Sequence, residues 1–299
     1  MGSGARVAFF GLPLGALLLA RDGHEIVYAA ACRSAPGLRR LATRIAPGRT
    51  YVRPRVEDVA TLERVRAAQP DLVVSWFWTT RLPESILRLA PSVGVHPSLL
   101  PRHRGPDPCF WAIDAGDETT GVTAHRLGVE YDTGEVLAQR ELRIDPAWNG
   151  WQLARALDRP SLALLREVVR AHAGGRSPAP VPQDERSATT APSPSDDELA
   201  IVWSWPAARI ERRVRAAAPW PGAWTEIGGQ IVTLVRVRVT RDFPRALDPA
   251  EAAVRADGVA VVRAGDDAVE LVEARSEDDR RLDAPQLADL VRSSQAADG

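Results

Sequence analysis

The chain has 299 residues, enough for two domains or for one domain of about 200 residues with an appendage. A hydrophobic fraction of 45% and a charged fraction of 26% are ordinary for a globular protein, and a net charge of −1 carries no footprint for nucleic acid or an acidic membrane. All 38 basic residues are arginine, which excludes a Schiff-base or phosphate-loop lysine and reads as codon bias in a GC-rich genome. Cys32 and Cys109 offer neither metal spacing nor a disulfide framework, and the five histidines form no HExxH pattern. No metal is therefore expected, and a reducing, cytoplasmic setting is the default.

Arg6 to Phe10 reads as a short buried strand, followed by a Gly-Leu-Pro turn and an apolar helix from about Leu14 to Arg21. The same stretch could pass for a secretory signal. Pro13 and Gly15 break it, however, no small-residue cleavage site ends it, and a second strand-like run, Ile26 to Ala31, follows at once. Leu38 to Ile45 and Val59 to Ala68 read as helices, Asp71 to Ser75 as a strand and Pro83 to Leu89 as a helix leading into Val93-Gly94-Val95. Strands alternating with helices predict a mostly parallel sheet covered on both faces, with ligands at the carboxyl ends of the strands. His96 falls at such an end. No segment has the roughly 18 consecutive apolar residues of a membrane span.

Trp76, Phe77 and Trp78 are open to two readings, core packing or an aromatic wall beside a flat ligand. Gly121 to Leu127 and Val136 to Leu142 alternate like strands, and Asp132 lies in the turn between them. In that alternation His125 points to the sheet surface, while His24, His103 and His172 look exposed. Trp151 to Arg170 has helical periodicity, with Pro160 predicting a kink or a break into two helices. Gly174 to Pro194 is rich in Pro, Ser and Gly and reads as a linker laid along the surface. Beyond it, a helix from Pro206 to about Arg215 precedes short strands at Ile231 to Val239, Gly258 to Arg263 and Ala268 to Glu273, which suggest a small barrel. The expected division is a catalytic domain over 1–173, a linker over 174–195 and a β-rich domain over 196–299.

One ordered set of motifs gives this outline a family. His96-Pro97-Ser98-Leu99-Leu100-Pro101, then Arg104-Gly105, Gly121-Val122-Thr123 and Asp132-Thr133-Gly134 resemble the signature of the folate-dependent formyltransferases. That family includes methionyl-tRNA formyltransferase, sugar N-formyltransferases and formyltetrahydrofolate hydrolase domains. Ile210, Arg213, Arg215-Ala216 and Pro219-Trp220-Pro221-Gly222 resemble the C-terminal domain of the tRNA enzyme. The resemblance implies a mostly parallel Rossmann-like α/β catalytic domain, an OB-like C-terminal domain and 10-formyltetrahydrofolate as formyl donor. It makes His96 the proton handler, with Asp132 orienting it or an ordered water and favouring its charged form. Arg81, Leu82, Ser98, Leu99, Leu100, Pro101, Glu130, Tyr131 and Gly134 would border the folate. Gly94, Asp107 and Trp111 would face the acceptor, although Asp107 between prolines is equally a turn former.

One family position departs. Formyl-transferring members carry Asn two residues before the His, where this chain has Gly94, and losing an oxyanion donor typically costs ~10²–10³ in rate. The Asn is also absent from some formyltetrahydrofolate hydrolase domains, which share the HPSLLPRHRG wording found here. Transfer to a small-molecule amine (an aminosugar, amino acid or biosynthetic intermediate) ranks first, hydrolysis of 10-formyltetrahydrofolate second and folate binding without chemistry third. Transfer to methionyl-tRNA ranks low. Residues 196–299 hold 14 arginines against 19 acids, a net of −5, and the early basic insertion usual in the tRNA enzymes is missing. Nothing in the sequence sets the oligomeric state.

Overall fold

The structure is a computed structural model that describes residues 4–31 and 36–297; Cys32 lies outside them. Seven strands form the first sheet: β1 (Arg6–Gly11), β2 (Glu25–Ala31), β3 (Thr50–Val52), β4 (Leu72–Trp76), β5 (Ser92–His96), β6 (Thr119–His125) and β7 (Val136–Arg143). Their order is β3-β2-β1-β4-β5-β6-β7, with β6 antiparallel to both of its neighbours and every other pairing parallel. The central strands are apolar end to end because both sheet faces are covered, as Val7 to Phe10 and Leu72 to Val74 illustrate, all fully buried. Helices α1 (Pro13–Arg21), α2 (Leu38–Arg44), α3 (Val59–Ala67), α4 (Glu84–Leu87) and α5 (Pro108–Ala115) connect the strands. This is the expected Rossmann-like architecture. The short strand β3 and the helix α5 lacked a readable periodicity.

The long helix α6 (Gly150–Ala173) runs unbroken through Pro160, so of the two expected outcomes, a kink or a break into two helices, the break does not occur. Its amphipathic face explains the tolerance. Ser161 accepts a 2.6 Å hydrogen bond from the Trp76 indole, and Arg166 grips Asp22 at the end of α1. Tertiary packing of this kind offsets the one hydrogen bond that proline removes.

The second sheet is antiparallel, with order β10-β11-β12-β9-β8 and β13 paired to β12, a half-barrel in place of a closed one. Its strands are β8 (Ala223–Ile227), β9 (Gln230–Thr240), β10 (Ala252–Val254), β11 (Ala260–Arg263), β12 (Ala268–Ser276) and β13 (Arg281–Asp283). Helices α7 (Asp196–Leu199), α8 (Ala207–Ala217) and α9 (Ala284–Ala297) accompany it; α9 was not anticipated.

The described chain clusters into two compact units that interleave along the sequence. One comprises Met1–Pro108, Thr119–Arg143 and Arg155–Pro192; the other comprises Cys109–Glu118, Ile144–Ala154 and Ser193–Gly299. Most of the Pro-rich stretch belongs to the first unit. It is an ordered strap there: Val181 pairs with Val136, and Thr190 with Arg104. The second unit buries an ion pair between Asp114 of α5 and Arg213 of α8, at 2.7 and 2.9 Å, with Arg213 only 4% exposed. The guanidinium also lies over the Phe110 and Trp205 rings. No helix of the described residues is long and apolar enough to cross a membrane.

Arg213→Ala would leave the Asp114 carboxylate buried without a partner and is expected to lower stability by about 3–5 kcal/mol. Urea unfolding would measure this, and a loss under about 1 kcal/mol would mean that water reaches the carboxylate.

Candidate active site

The site begins with strand register. β5 and β6 pair antiparallel with Gly94 opposite His125 and His96 opposite Thr123. Residues directly opposite share a face, and so do residues two apart, so His96 and His125 are diagonal neighbours on one face. The glycine gives the His125 ring room. A Cβ at position 94 would sit 2.6 Å from Leu127 Cδ2 and 3.2 Å from His125 Nε2. The volume that a side chain at 94 would take is already filled.

Asp132 closes the constellation from the β6–β7 turn. One carboxylate oxygen accepts a 3.0 Å hydrogen bond from the Gly105 N–H and lies 3.4 Å from His96 Nδ1. The other lies 3.5 Å from His125 Nε2. Asp132 itself adopts φ 56°, a left-handed conformation that costs energy for a residue with a Cβ and concentrates at functional turns. The turn is tight enough to demand Gly134, where a Cβ would collide with the Arg126 carbonyl. Thus His96 and Asp132, 36 positions apart in sequence, do meet.

His96 is buried, and its Nε2 donates to the His103 carbonyl at 2.8 Å, so both ring nitrogens face oxygen. His125 is 2% exposed, which corrects the expectation that it points to the sheet surface. Its Nδ1 donates to the Arg126 carbonyl at 2.8 Å. Burial holds this imidazole below the ordinary histidine value, against the raising effect of the Asp132 charge, with the His96 charge lowering it further. His103 and His24, read as exposed, are buried as well; His24 Nδ1 accepts the Ala5 N–H.

These groups line a cleft of about 360 Å³ whose walls include Phe77, Trp78 and Tyr131, a size suited to a small ligand. A smaller annex of about 80 Å³ adjoins it, bounded by Arg81, Leu82, Glu130 and Tyr131. Arg81 pairs with Glu130 at 3.3 Å and lies over the Tyr131 ring. The two readings of the tryptophan run divide by residue: Trp76 is core, whereas Phe77 and Trp78 form cleft wall. The Trp78 indole N–H is buried with no acceptor among the described residues, a donor left over for a flat heterocycle.

Other expected site residues lie elsewhere. Ser98, Leu99, Leu100 and Pro101 line neither cleft. Ser98 Oγ donates to the Arg102 carbonyl at 2.6 Å, the Leu100 N–H donates to Thr123 Oγ1, and the Pro101 carbonyl accepts from Thr189. With its polar groups spent on the chain, this turn braces His96. Asp107 donates its N–H to the Ala191 carbonyl, and Trp111 packs edge-to-face on Phe110; neither lines the cleft, whereas Gly94 does.

Gln183, in the strap, escaped the sequence reading. Its amide nitrogen donates to the carbonyls of Asp132 and Gly134 at 2.7 and 2.6 Å, while its oxygen accepts from Arg104. One side chain thereby ties the loop holding the His96 acceptor to the turn holding Asp132. The missed signal was polar: a glutamine inside a Pro-rich run. Among the described residues, no group of three or more His, Cys, Asp or Glu could hold a metal ion.

A family model described as formyl transferase matches residues 31–169, and one described as formyl transferase, C-terminal domain, matches residues 195–291. A methionyl-tRNA formyltransferase from Anaeromyxobacter dehalogenans is 34% identical over 304 residues, covering 96% of this chain and 97% of that protein. One from Chloroflexus aggregans is 36% identical over 222 residues, covering 74% of this chain and 72% of that protein. Two solved structures share the fold. HypX from Aquifex aeolicus in complex with tetrahydrofolic acid has a TM-score of 0.65 at 20% identity, covering 95% of this chain and 47% of that one. The N-formyltransferase from Helicobacter canadensis, in complex with folinic acid and dTDP-3-aminofucose, has a TM-score of 0.68 at 13% identity, covering 89% and 98%.

Gln183→Leu would strip partners from two turn carbonyls and from Arg104. A loss of about 1–3 kcal/mol is expected, read from the chemical denaturation midpoint. An unchanged midpoint would mean that water replaces the amide and that the strap is only a tether.

Proposed function

The chain belongs to the folate-dependent formyltransferases, and from that premise we propose that it moves the formyl group of 10-formyltetrahydrofolate to an amine on a small molecule. The observation that carries this reading is the meeting of His96, His125 and Asp132 at the wall of a 360 Å³ cleft with aromatic sides. 10-Formyltetrahydrofolate supplies the one-carbon unit at the oxidation level of an amide and departs as tetrahydrofolate. Phe77, Trp78 and Tyr131 suit the faces of its pterin, and the unpartnered Trp78 N–H suits one of its ring acceptors. Arg81 and Glu130, exposed at the annex, stand where polar edges of the heterocycle would emerge. His96, held by Asp132 and the His103 carbonyl, manages proton charge at the reacting carbon.

The acceptor is a small amine such as an aminosugar, an amino acid or a biosynthetic intermediate. Charge supports this over tRNA. The acidic residues of 196–299 outnumber the arginines by five, and many of those arginines are already engaged. Arg238 and Arg255 pair with Glu270, Arg281 with Glu273, and Arg292 with Asp289. A tRNA-binding face needs arginines that can release counterions from phosphates. The second reading is methionyl-tRNA as acceptor, favoured by the name of relatives that align over 96% of this chain. Hydrolysis is the third, favoured by Gly94.

Release of tetrahydrofolate from 10-formyltetrahydrofolate would be followed alone, with a panel of aminosugars and amino acids, and with methionyl-tRNA. Acceptor-dependent release in the small-amine arm is the expected result. Release only with methionyl-tRNA, or equally fast release with no amine, would overturn the choice of acceptor. His96→Ala is expected to cut turnover ~10²–10⁴-fold while folate still binds, and an unchanged rate would remove His96 from the chemistry.

A further inference from the structure

Helix α1, the run that as sequence could pass for a secretory signal, has no polar side chain from residue 13 to 20. A helix that is apolar all round is ordinarily buried all round. Only one side of α1 is. Pro13, Gly15, Ala16 and Leu19 are buried, and a Cβ on Gly15 would come within 2.7 Å of the Phe9 ring, so the helix sits hard against β1. The opposite side carries Leu14, 47% exposed, with Leu17 and Leu18 half-buried. A groove of about 340 Å³ lies between this side and α2, walled by Leu14, Leu17, Leu18, Arg21, Arg40 and Arg44. We propose that this groove is a docking site for an acidic amphipathic helix of a partner protein.

Spacing supplies the shape. Leu14, Leu17, Leu18 and Arg21 stand at i, i+3, i+4 and i+7, one face of two helical turns, roughly 10 Å long at 1.5 Å per residue. A helix laid along such a groove presents apolar anchors at the same spacing.

Charge supplies the sign. Residues 26–56 contain seven arginines and no aspartate or glutamate. The acids nearest in sequence are already engaged, Asp22 with Arg166 and Arg170, and Glu25 with Arg6 and Arg49. Among the described residues, the guanidiniums of Arg21, Arg40 and Arg44 have no hydrogen-bond or ion-pair partner. Arg40 and Arg44, four apart on α2, repel each other as like charges. Carboxylates flanking the apolar anchors of a partner would relieve that repulsion and steer its approach.

Other occupants use only half of these features. A nucleic acid would engage the arginines and leave the leucines in water. An anionic membrane takes up apolar side chains that protrude, and here they line a recess. In a second copy of this chain, the acidic second unit offers helix α9, whose Leu287, Ala288 and Val291 are already buried. No groove residue lines the cleft, so docking leaves the chemistry alone.

The probe is a synthetic helical peptide with leucines at i, i+3, i+4 and i+7 and glutamates beside them, titrated against the full chain by fluorescence anisotropy. Saturable one-to-one binding is expected, with hydrogen exchange slowed in α1 and α2 and formyl-transfer turnover unchanged. Leu17→Asp, and Arg40→Glu with Arg44→Glu, should each weaken binding about tenfold or more. Exchanging the peptide's glutamates for lysines should restore binding to the arginine double variant and abolish it for the wild type. Should Leu17→Asp fail to fold, the exposed arginine pair decides. Equal binding of a scrambled peptide, or protection outside α1 and α2, would overturn the proposal. So would bulk tRNA or phosphatidylglycerol vesicles binding in a manner lost in the arginine variant but kept in Leu17→Asp. Sedimentation showing self-association that Leu17→Asp abolishes would replace the partner with a second copy.

Discussion

Asp132 is held in a left-handed turn at the end of the cleft, and its carboxylate faces three partners drawn from different parts of the chain. The Gly105 N–H comes from the loop after β5, His96 from the end of β5, and His125 from the end of β6. A carboxylate largely withdrawn from water is stabilised by donors or by positive charge, and the half-buried Asp132 draws these segments together. Left-handed φ values at Phe77, His103 and Asp132 gather around the same cleft, and such conformations persist where surrounding contacts over-determine them. The strain sits where the chemistry is expected.

Those contacts come from the strap that leaves the first unit. Arg104 bonds to Gln183 and Glu185, the His103 N–H donates to Thr189, and Gln183 spans to the Asp132 turn. A stretch rich in proline loses little backbone entropy on ordering, which makes it an economical clamp. The same clamp fixes the His103 carbonyl on which the His96 ring is seated. Local composition marked this segment as a linker; beyond one short helical turn at Glu185–Ser187 and two isolated bridges it is irregular, but irregular is different from lacking partners.

The second unit bears on acceptor choice through charge. Many of its arginines pair with its own acids, and the buried Arg213 guanidinium serves the fold by bridging α5 and α8. Relatives with a tRNA name share a third of their residues with this chain, yet shared ancestry over the whole length fixes a fold and a donor more firmly than it fixes an acceptor. Binding a large anion draws on positive surface, and residues 196–299 carry five more acids than arginines.

By itself, the sequence determined the alternation of strands and helices, the family, and the pairing of His96 with Asp132. Those features are written in local periodicity and in an ordered run of short motifs, which a linear reading can follow. The antiparallel pairing of β5 with β6 was beyond it, and so was the consequence that Gly94 lies opposite His125. Alternation gave His125 an outward face, because period two separates the two faces of a strand but cannot say that both are covered. The turn Ser98 to Pro101, expected to border the folate, lines neither cleft and bonds to the chain, an arrangement decided by where Thr123 and Thr189 arrive. Cross-strand register and the return of the strap are long-range facts. They depend on which segments can share a buried face and satisfy one another's hydrogen bonds, and only the folded chain settles that.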